Sequence, residues 1–259
     1  MTKIVVANQK GGVGKTTVAC LLAWWLAENG YARVALLDLD AQANASRTIA
    51  AGRHTVAPFT ASALFGDAAP SLEDPHPGVT LIAAGPKLAD VDTDPAAPGR
   101  FQRNVECLKG FDAVVIDTPP ALGRRMLAAL VAADRVLCPI ELEDYSIDGL
   151  ASMLRTVQGV RSRWNARLDL LGILANRFNH HSASQRQALE VLLTRYSDMV
   201  IPGKLSLRSS IPLAASQGLP VWRLSKSAAR DAAAEVRHVM TMIGRKLPAA
   251  DTSTSASHA

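Results

Sequence analysis

The sequence predicts an α/β fold, a mostly parallel twisted β-sheet with helices on both faces, and two observations carry that expectation. A β-branched run, a glycine-rich turn, a helical run and a second buried apolar run follow one another between residues 4 and 40. That order describes two parallel strands joined by a right-handed crossover. A further β-branched run, Phe111 to Ile116, delivers Asp117 to its carboxyl end, where open α/β sheets place their ligands. With 259 residues and 48% apolar content, the chain is long enough to bury a sizeable core. One domain over residues 1–247 is expected, followed by a disordered Ser/Thr/Ala tail at 248–259.

Ile4-Val5-Val6-Ala7 forms the first predicted strand and Val18 to Glu28 the first helix, ended by Asn29-Gly30. Between them lies Asn8-Gln-Lys-Gly-Gly-Val-Gly-Lys-Thr-Thr17. Gly11, Gly12 and Gly14 allow successive amides to turn inward, and the helix end adds its positive dipole, so the loop suits a phosphate. Lys15 is placed to reach the β- and γ-phosphates of a nucleotide, and the Thr16 hydroxyl to hold magnesium. The ordinary form of this motif has glycine where Gln9 stands. The run Lys10-Gly11-Gly12-Val13-Gly14-Lys15-Thr16-Thr17 instead resembles the deviant Walker A motif of the ParA/MinD family of ATPases. This resemblance implies a P-loop NTPase fold, ATP and Mg²⁺ as cofactors, and nucleotide contacts from Lys10 through Thr17. It also implies that Lys10 acts across an ATP-dependent homodimer, on the phosphates bound to the other subunit.

Arg33 to Asp40 is the second predicted strand, with Asp38 and Asp40 facing the loop. Asp38-Leu39-Asp40-Ala41-Gln42-Ala43-Asn44 is similar to the family's Asp-x-Asp-Pro-Gln-x-Asn segment, with Ala41 in the proline's place. The resemblance makes Asp40 the residue that positions or activates the attacking water, and Asp38 a supporting charge near the metal. Residues 41–110 carry no recognisable chemistry. A short helix at 57–66, a strand at 79–83 and a helix at 100–108 are expected there, with six prolines breaking the rest into loops. Asp90, Asp92 and Asp94 lack a ligand-complete spacing for a metal.

Phe111 to Asp117 reads as a Walker B strand whose aspartate can hold magnesium through its water shell. Thr118-Pro119-Pro120 resembles the family's γ-phosphate-sensing segment. A helix over 121–132, a strand at 135–140, a helix at 144–163 and a strand at 168–176 follow. The resemblance makes Asn176 an adenine contact, although a strand-ending turn former reads the same way. A helix then runs to Tyr196, and His180-His181 has no partner at zinc-ligand spacing. Val200-Ile201-Pro202 is a last strand, and a closing helix over 225–246 is expected to be capped by Ser225.

Charge divides unevenly. Residues 1–150 hold 13 Lys/Arg against 17 Asp/Glu, and residues 151–259 hold 15 against 6. A basic half suits either a polyanion or an arginine-rich solvated surface. With the family resemblance it points to non-specific DNA, with Arg177, Arg186, Lys204 and Arg208 as DNA-binding candidates. Cys20, Cys107 and Cys138 read as buried thiols of a reducing compartment. No apolar run approaches a membrane span, so a cytoplasmic, nucleoid-associated protein without membrane contact is expected. The resemblance further implies stimulation by a ParB-type partner. The first strand begins at once, so no helix-turn-helix extension and no operator-specific repression are expected. The alternative reading, a MinD-like positioning ATPase, requires a C-terminal amphipathic membrane helix.

Overall fold

The computed structural model describes residues 1–249 apart from Glu73, Asp144, Tyr145 and Lys226. The expected tail at 248–259 lies almost wholly outside the described residues, as does Asp144, the expected start of one helix. Among the described residues eight strands form one sheet: β1 (Thr2–Val6), β2 (Arg33–Asp38), β3 (Thr55–Val56), β4 (Gly78–Ile82), β5 (Ala113–Asp117), β6 (Arg135–Glu141), β7 (Asp169–Phe178) and β8 (Val200–Ser206). Their order is β3-β4-β2-β5-β1-β6-β7-β8, and every pairing is parallel. Among the described residues the α-helices are α1 (Lys15–Glu28), α2 (Asn44–Ala50), α3 (Ala97–Glu106), α4 (Arg124–Ala132), α5 (Ser146–Arg163), α6 (Ala183–Tyr196), α7 (Ser210–Ser216) and α8 (Arg230–Gly244).

Alternation along the strands decides which helices cover which face. Ile4, Val6, Val34, Leu36 and Val115 point into one core with α1 and α8. Val5, Ala7, Ala35, Leu37, Val114 and Ile116 point into the other, with α3, α4 and Met153, Val157 and Val160 of α5. Both faces are therefore apolar, and the strands read as near-continuous hydrophobic runs, as buried parallel strands must. Pro202 is tolerated because β8 is an edge strand, where a missing amide donor leaves no ladder bond unmade.

β1 and β2 run parallel, as expected, with β5 between them, but other expectations differ. The first helix starts three residues early, at Lys15, since the left-handed turn at Gly14 (φ 84°) feeds directly into it. The helix at 57–66 is a 3-10 turn over Ala61–Phe65, and α2 and α7 had no sequence signal. Ser225 does not cap α8, which starts at Arg230 after a separate 3-10 turn. Cys107 is exposed at the end of α3, while Cys20 and Cys138 are buried. Asp92 and Asp94 are tied to Arg125 and Arg100, which accounts for two members of the acidic run as ion-pair partners.

The ends of α2 and α7 meet backbone to backbone. A Cβ on Gly218 (φ +65°) would lie 2.0 Å from the Gly52 nitrogen and 2.5 Å from its Cα, whereas one on Gly30 (φ +99°) would meet nothing within 4 Å. Gly30→Ala should therefore lose only the backbone strain, about 1 kcal/mol. Gly218→Ala adds an overlap with main chain that cannot rotate away, and should lose about 3 kcal/mol or more. Urea denaturation of the two variants checks this. Equal losses would show that the contact yields.

Candidate functional site

The carboxyl ends of β1, β2 and β5 meet below the glycine-rich loop. In register, Val6 lies opposite Asp117, and Asp38 lies opposite Asp117 on its other side. Asp38 and Asp117 are both fully buried. Their surroundings differ. Asp38 accepts hydrogen bonds from the Asp40 amide (3.0 Å), the Ser46 amide (2.8 Å) and the Ser46 hydroxyl (2.7 Å). It thereby fastens the start of α2 to the end of β2. Neither oxygen of Asp117 has a hydrogen-bond partner among the described residues. Burial, then the neighbouring Asp38 charge, push the Asp117 carboxyl up to about 8, against the opposing influence of Thr16 and Lys15. A buried carboxyl with two free oxygens beside a helix N-terminus is suited to the water shell of a small divalent cation. Thr16, in the first turn of α1, is the hydroxyl that opposes the rise of the Asp117 pKa.

The loop itself is held from three sides. Asn8 Nδ2 donates to Pro139 O (2.7 Å), Gln9 Nε2 to Thr156 Oγ1 (2.8 Å), and Asn176 Nδ2 to Val13 O (2.7 Å). Asn176 is therefore a positioning residue for the loop, packed so closely that a Cβ on Gly14 would stand 2.4 Å from its amide nitrogen. Lys15 is buried, and its Nζ donates to Lys10 O at 3.0 Å, curling back over the loop. Burial lowers its pKa, while Asp117 and Asp40 raise it. Lys10 differs: its side chain is 40% exposed and its Nζ leaves the loop to meet Glu143 Oε2 at 2.7 Å.

Above the loop opens a cleft of about 500 Å³ lined by Gly11, Gly12, Gly14, Lys15, Thr16, Thr17, Asp40, Thr118 and Arg177, with Gln42, Asn44, Arg47 and Thr48 on its far wall. Asp40 is half-buried and accepts from the Gln42 amide at 3.0 Å. Thr118 is fixed by donating to Val6 O at 2.8 Å. Arg47 and Thr48 fall in a stretch read as without chemistry. Their only sequence signal was following Asp38-x-Asp40 on a helix too short to show a period.

Of the four basic residues singled out for DNA, three share one neighbourhood. Arg186 donates to His180 O (2.6 Å), His180 contacts Ser206 Oγ (2.8 Å), and Lys204 lies over the Phe178 ring at 5.1 Å. Arg208 stands 3.8 Å from both Asp231 and Glu235, which offset its charge. Arg177 lies apart from them, in the cleft, with its Nε 3.1 Å from both Glu141 oxygens.

Because its folded-state pKa lies above the ordinary value, Asp117 contributes stability that is full at low pH and is lost as pH rises through about 8. Thermal denaturation of the nucleotide-free protein should show a melting temperature falling between pH 6 and pH 8.5. Asp117→Asn should flatten that slope; an unchanged slope would assign it to other groups.

Residues 1–170 match the family model described as an AAA domain. Protein IncC of Escherichia coli is 41% identical over 257 residues, covering 95% of this chain and 70% of IncC. The chromosome-partitioning ATPase Soj of Thermus thermophilus is 36% identical over 198 residues, covering 76% of this chain and 78% of Soj. Among solved structures, cobyrinic acid a,c-diamide synthase of Mycobacterium smegmatis with bound ATP analogue and magnesium superposes with a TM-score of 0.74. It is 29% identical over 96% of this chain and 98% of its own. With the deviant loop, the paired Asp38 and Asp117 and the parallel sheet in place, these likenesses identify the chain as a member of the ParA-type partition ATPases.

Proposed function

We propose that this protein is a DNA partition ATPase that binds ATP and Mg²⁺ in the loop cleft and dimerises on ATP. The dimer holds DNA without sequence preference and hydrolyses ATP at a weak intrinsic rate that a ParB-type partner raises. The observation that carries this reading is the divergence of the two loop lysines. Lys15 is buried and turned toward its own loop, and Lys10 is exposed and turned away from it. A lysine directed outward from the loop, held by an exposed ion pair with Glu143, is available to a phosphate on a second subunit, which is the requirement of a two-subunit site. Identity to the chromosome-partitioning ATPase Soj, 36%, exceeds the 29% to the diamide synthase, which favours partition over amide synthesis. A MinD-like membrane role is less well supported, because the apolar face of α8, with Val236, Val239, Met240 and Ile243, is buried in the core.

In this reading the loop amides and Lys15 hold the β- and γ-phosphates, with Thr16 and Asp117 holding the metal. The chemistry magnesium supplies there is neutralisation of phosphate charge. Asp38 keeps the Asp40 segment in place by accepting from the Asp40 amide, and the start of α2 by accepting from Ser46. Asp40 orients the attacking water from the cleft wall, and Thr118, fixed by Val6, presents the segment that meets the γ-phosphate. Arg186 and Lys204 are the DNA-binding candidates left with their charge least offset. Arg208 contributes less, and Arg177 acts from the nucleotide side.

Lys10→Ala should bind ATP as a monomer yet fail to dimerise in sedimentation velocity with ATP. Asp40→Ala should dimerise with ATP and turn it over about 100-fold more slowly or worse, as loss of a water-orienting carboxylate does. A Lys10→Ala dimer, or wild-type turnover in Asp40→Ala, would contradict these roles.

The ATP dimer should bind two unrelated duplexes equally. With about six phosphates neutralised, log affinity should fall with log salt at a slope near −5, and Lys204→Ala, removing one contact per subunit, should reduce that slope by about two. Filter binding across salt with ATP and ADP checks this; equal binding with both nucleotides would contradict DNA binding by the ATP dimer alone.

A further inference from the structure

A second cleft, of about 700 Å³, lies between α4 and α5, where Thr156 on its wall accepts from Gln9 Nε2 at 2.8 Å. Ser152, Arg155, Thr156, Gly159, Val160 and Arg163 of α5 line it. Their spacing of three and four makes them a single stripe along one helix face, about 16 Å long over three turns. Arg124 and Leu127 of α4 line it from the other helix, and Leu122 and Trp164, each more than half exposed, line it as well.

Two features set this cleft apart from ordinary surface. Three arginines, 124, 155 and 163, converge on it, and none has a carboxylate within salt-bridge distance among the described residues. Arg163 meets only the Trp164 ring, at 5.9 Å. The one acidic residue lining the cleft, Asp92, is already held by Arg125 at 2.7 and 2.9 Å. Alongside these charges are large apolar side chains left in water, which a monomeric surface seldom groups together.

We propose that this cleft docks an acidic, amphipathic segment of a partner protein. Its carboxylates would meet Arg124, Arg155 and Arg163, and its apolar side chains would cover Leu122, Leu127 and Trp164. Arginine and tryptophan are the residue types that dominate binding energy at such surfaces, and the uncompensated positive charge selects the sign of the partner. Duplex DNA satisfies the arginines but offers the sunken leucine and valine wall no apolar counterpart, so the mixture favours a peptide. The proposal does not depend on the partition role.

The test is fluorescence anisotropy with a labelled peptide of glutamate and leucine, about 14 residues long so as to cover three helical turns, with its leucines on one face. Wild type should bind it. The double variant Arg155→Glu, Arg163→Glu should bind at least about tenfold more weakly, and should bind the lysine-for-glutamate version of the peptide instead, because like charges now face the original. Leu122→Ser should weaken the original peptide without restoring the lysine version. Unchanged melting temperature and unchanged ATP turnover establish that the variants are folded. No binding by wild type, equal binding of a leucine-scrambled peptide, or displacement of the peptide by a DNA duplex would overturn the proposal. With turnover intact, any of these would leave the ATPase reading standing.

Discussion

Everything in the nucleotide site depends on one register: β5 between β1 and β2, with Asp117 level with Val6 on one side and Asp38 on the other. Three strands ending at the same height put two buried carboxyls beside the N-terminus of α1. The hydrogen bonds to Asp38, and Thr16 and the charge of Lys15 beside Asp117, offset that crowding. A slip of one residue would turn Asp117 to the other face of the sheet and into an apolar core. The near-continuous apolar runs of β1, β2 and β5 do not forbid such a slip by polarity alone. The backbone bond from Leu39 N to Asp117 O, at 3.1 Å, continues the β2–β5 ladder past the last strand residue and holds the carboxylates level.

Around this fixed centre the site divides into held and free parts. The loop is pinned by Asn8, Gln9 and Asn176, each giving one side-chain amide to a neighbouring element. Such bonds contribute about 1 kcal/mol apiece and matter more for leaving the loop a single conformation. Lys10 and Asp40 are not held in that way. Lys10 has an exposed ion pair with Glu143, of the kind solvent and salt easily exchange, and Asp40 has one backbone donor. The residues proposed to act on a second subunit and on water are thus those that can move without disturbing the core.

Much of this was legible because strand, loop and carboxylate signals are local. Lys10 to Thr17, Asp38, Asp40 and Asp117 all lie within a few residues of the runs that announced them. Strand order was not legible: that Arg33–Asp38 has Ala113–Asp117 as neighbour is decided by packing between segments 80 residues apart. Asn176 was read as an adenine contact or a turn former, and its bond to Val13 O could not be seen without knowing that β7 ends beside the loop. Arg177 looked like one of several arginines in a basic half, and only its position in the cleft beside Glu141 separates it from Arg186 and Lys204. The helix at Asn44 was missed because it is entered through Ala43 in a left-handed conformation (φ 56°), where local propensity predicts no helix. Ser225 is a good capping residue in isolation, yet α8 begins five residues later.

In the proposed function the two unpartnered oxygens of Asp117 face the metal that enters with the nucleotide. The most direct test is calorimetric titration of the wild-type protein with ATP, with magnesium and with magnesium removed by chelation. Binding should weaken about tenfold or more without the metal, since the buried carboxyls then face phosphate with no intervening cation. Equal affinity in the two conditions would contradict the assignment of Asp117 and the division of roles built upon it.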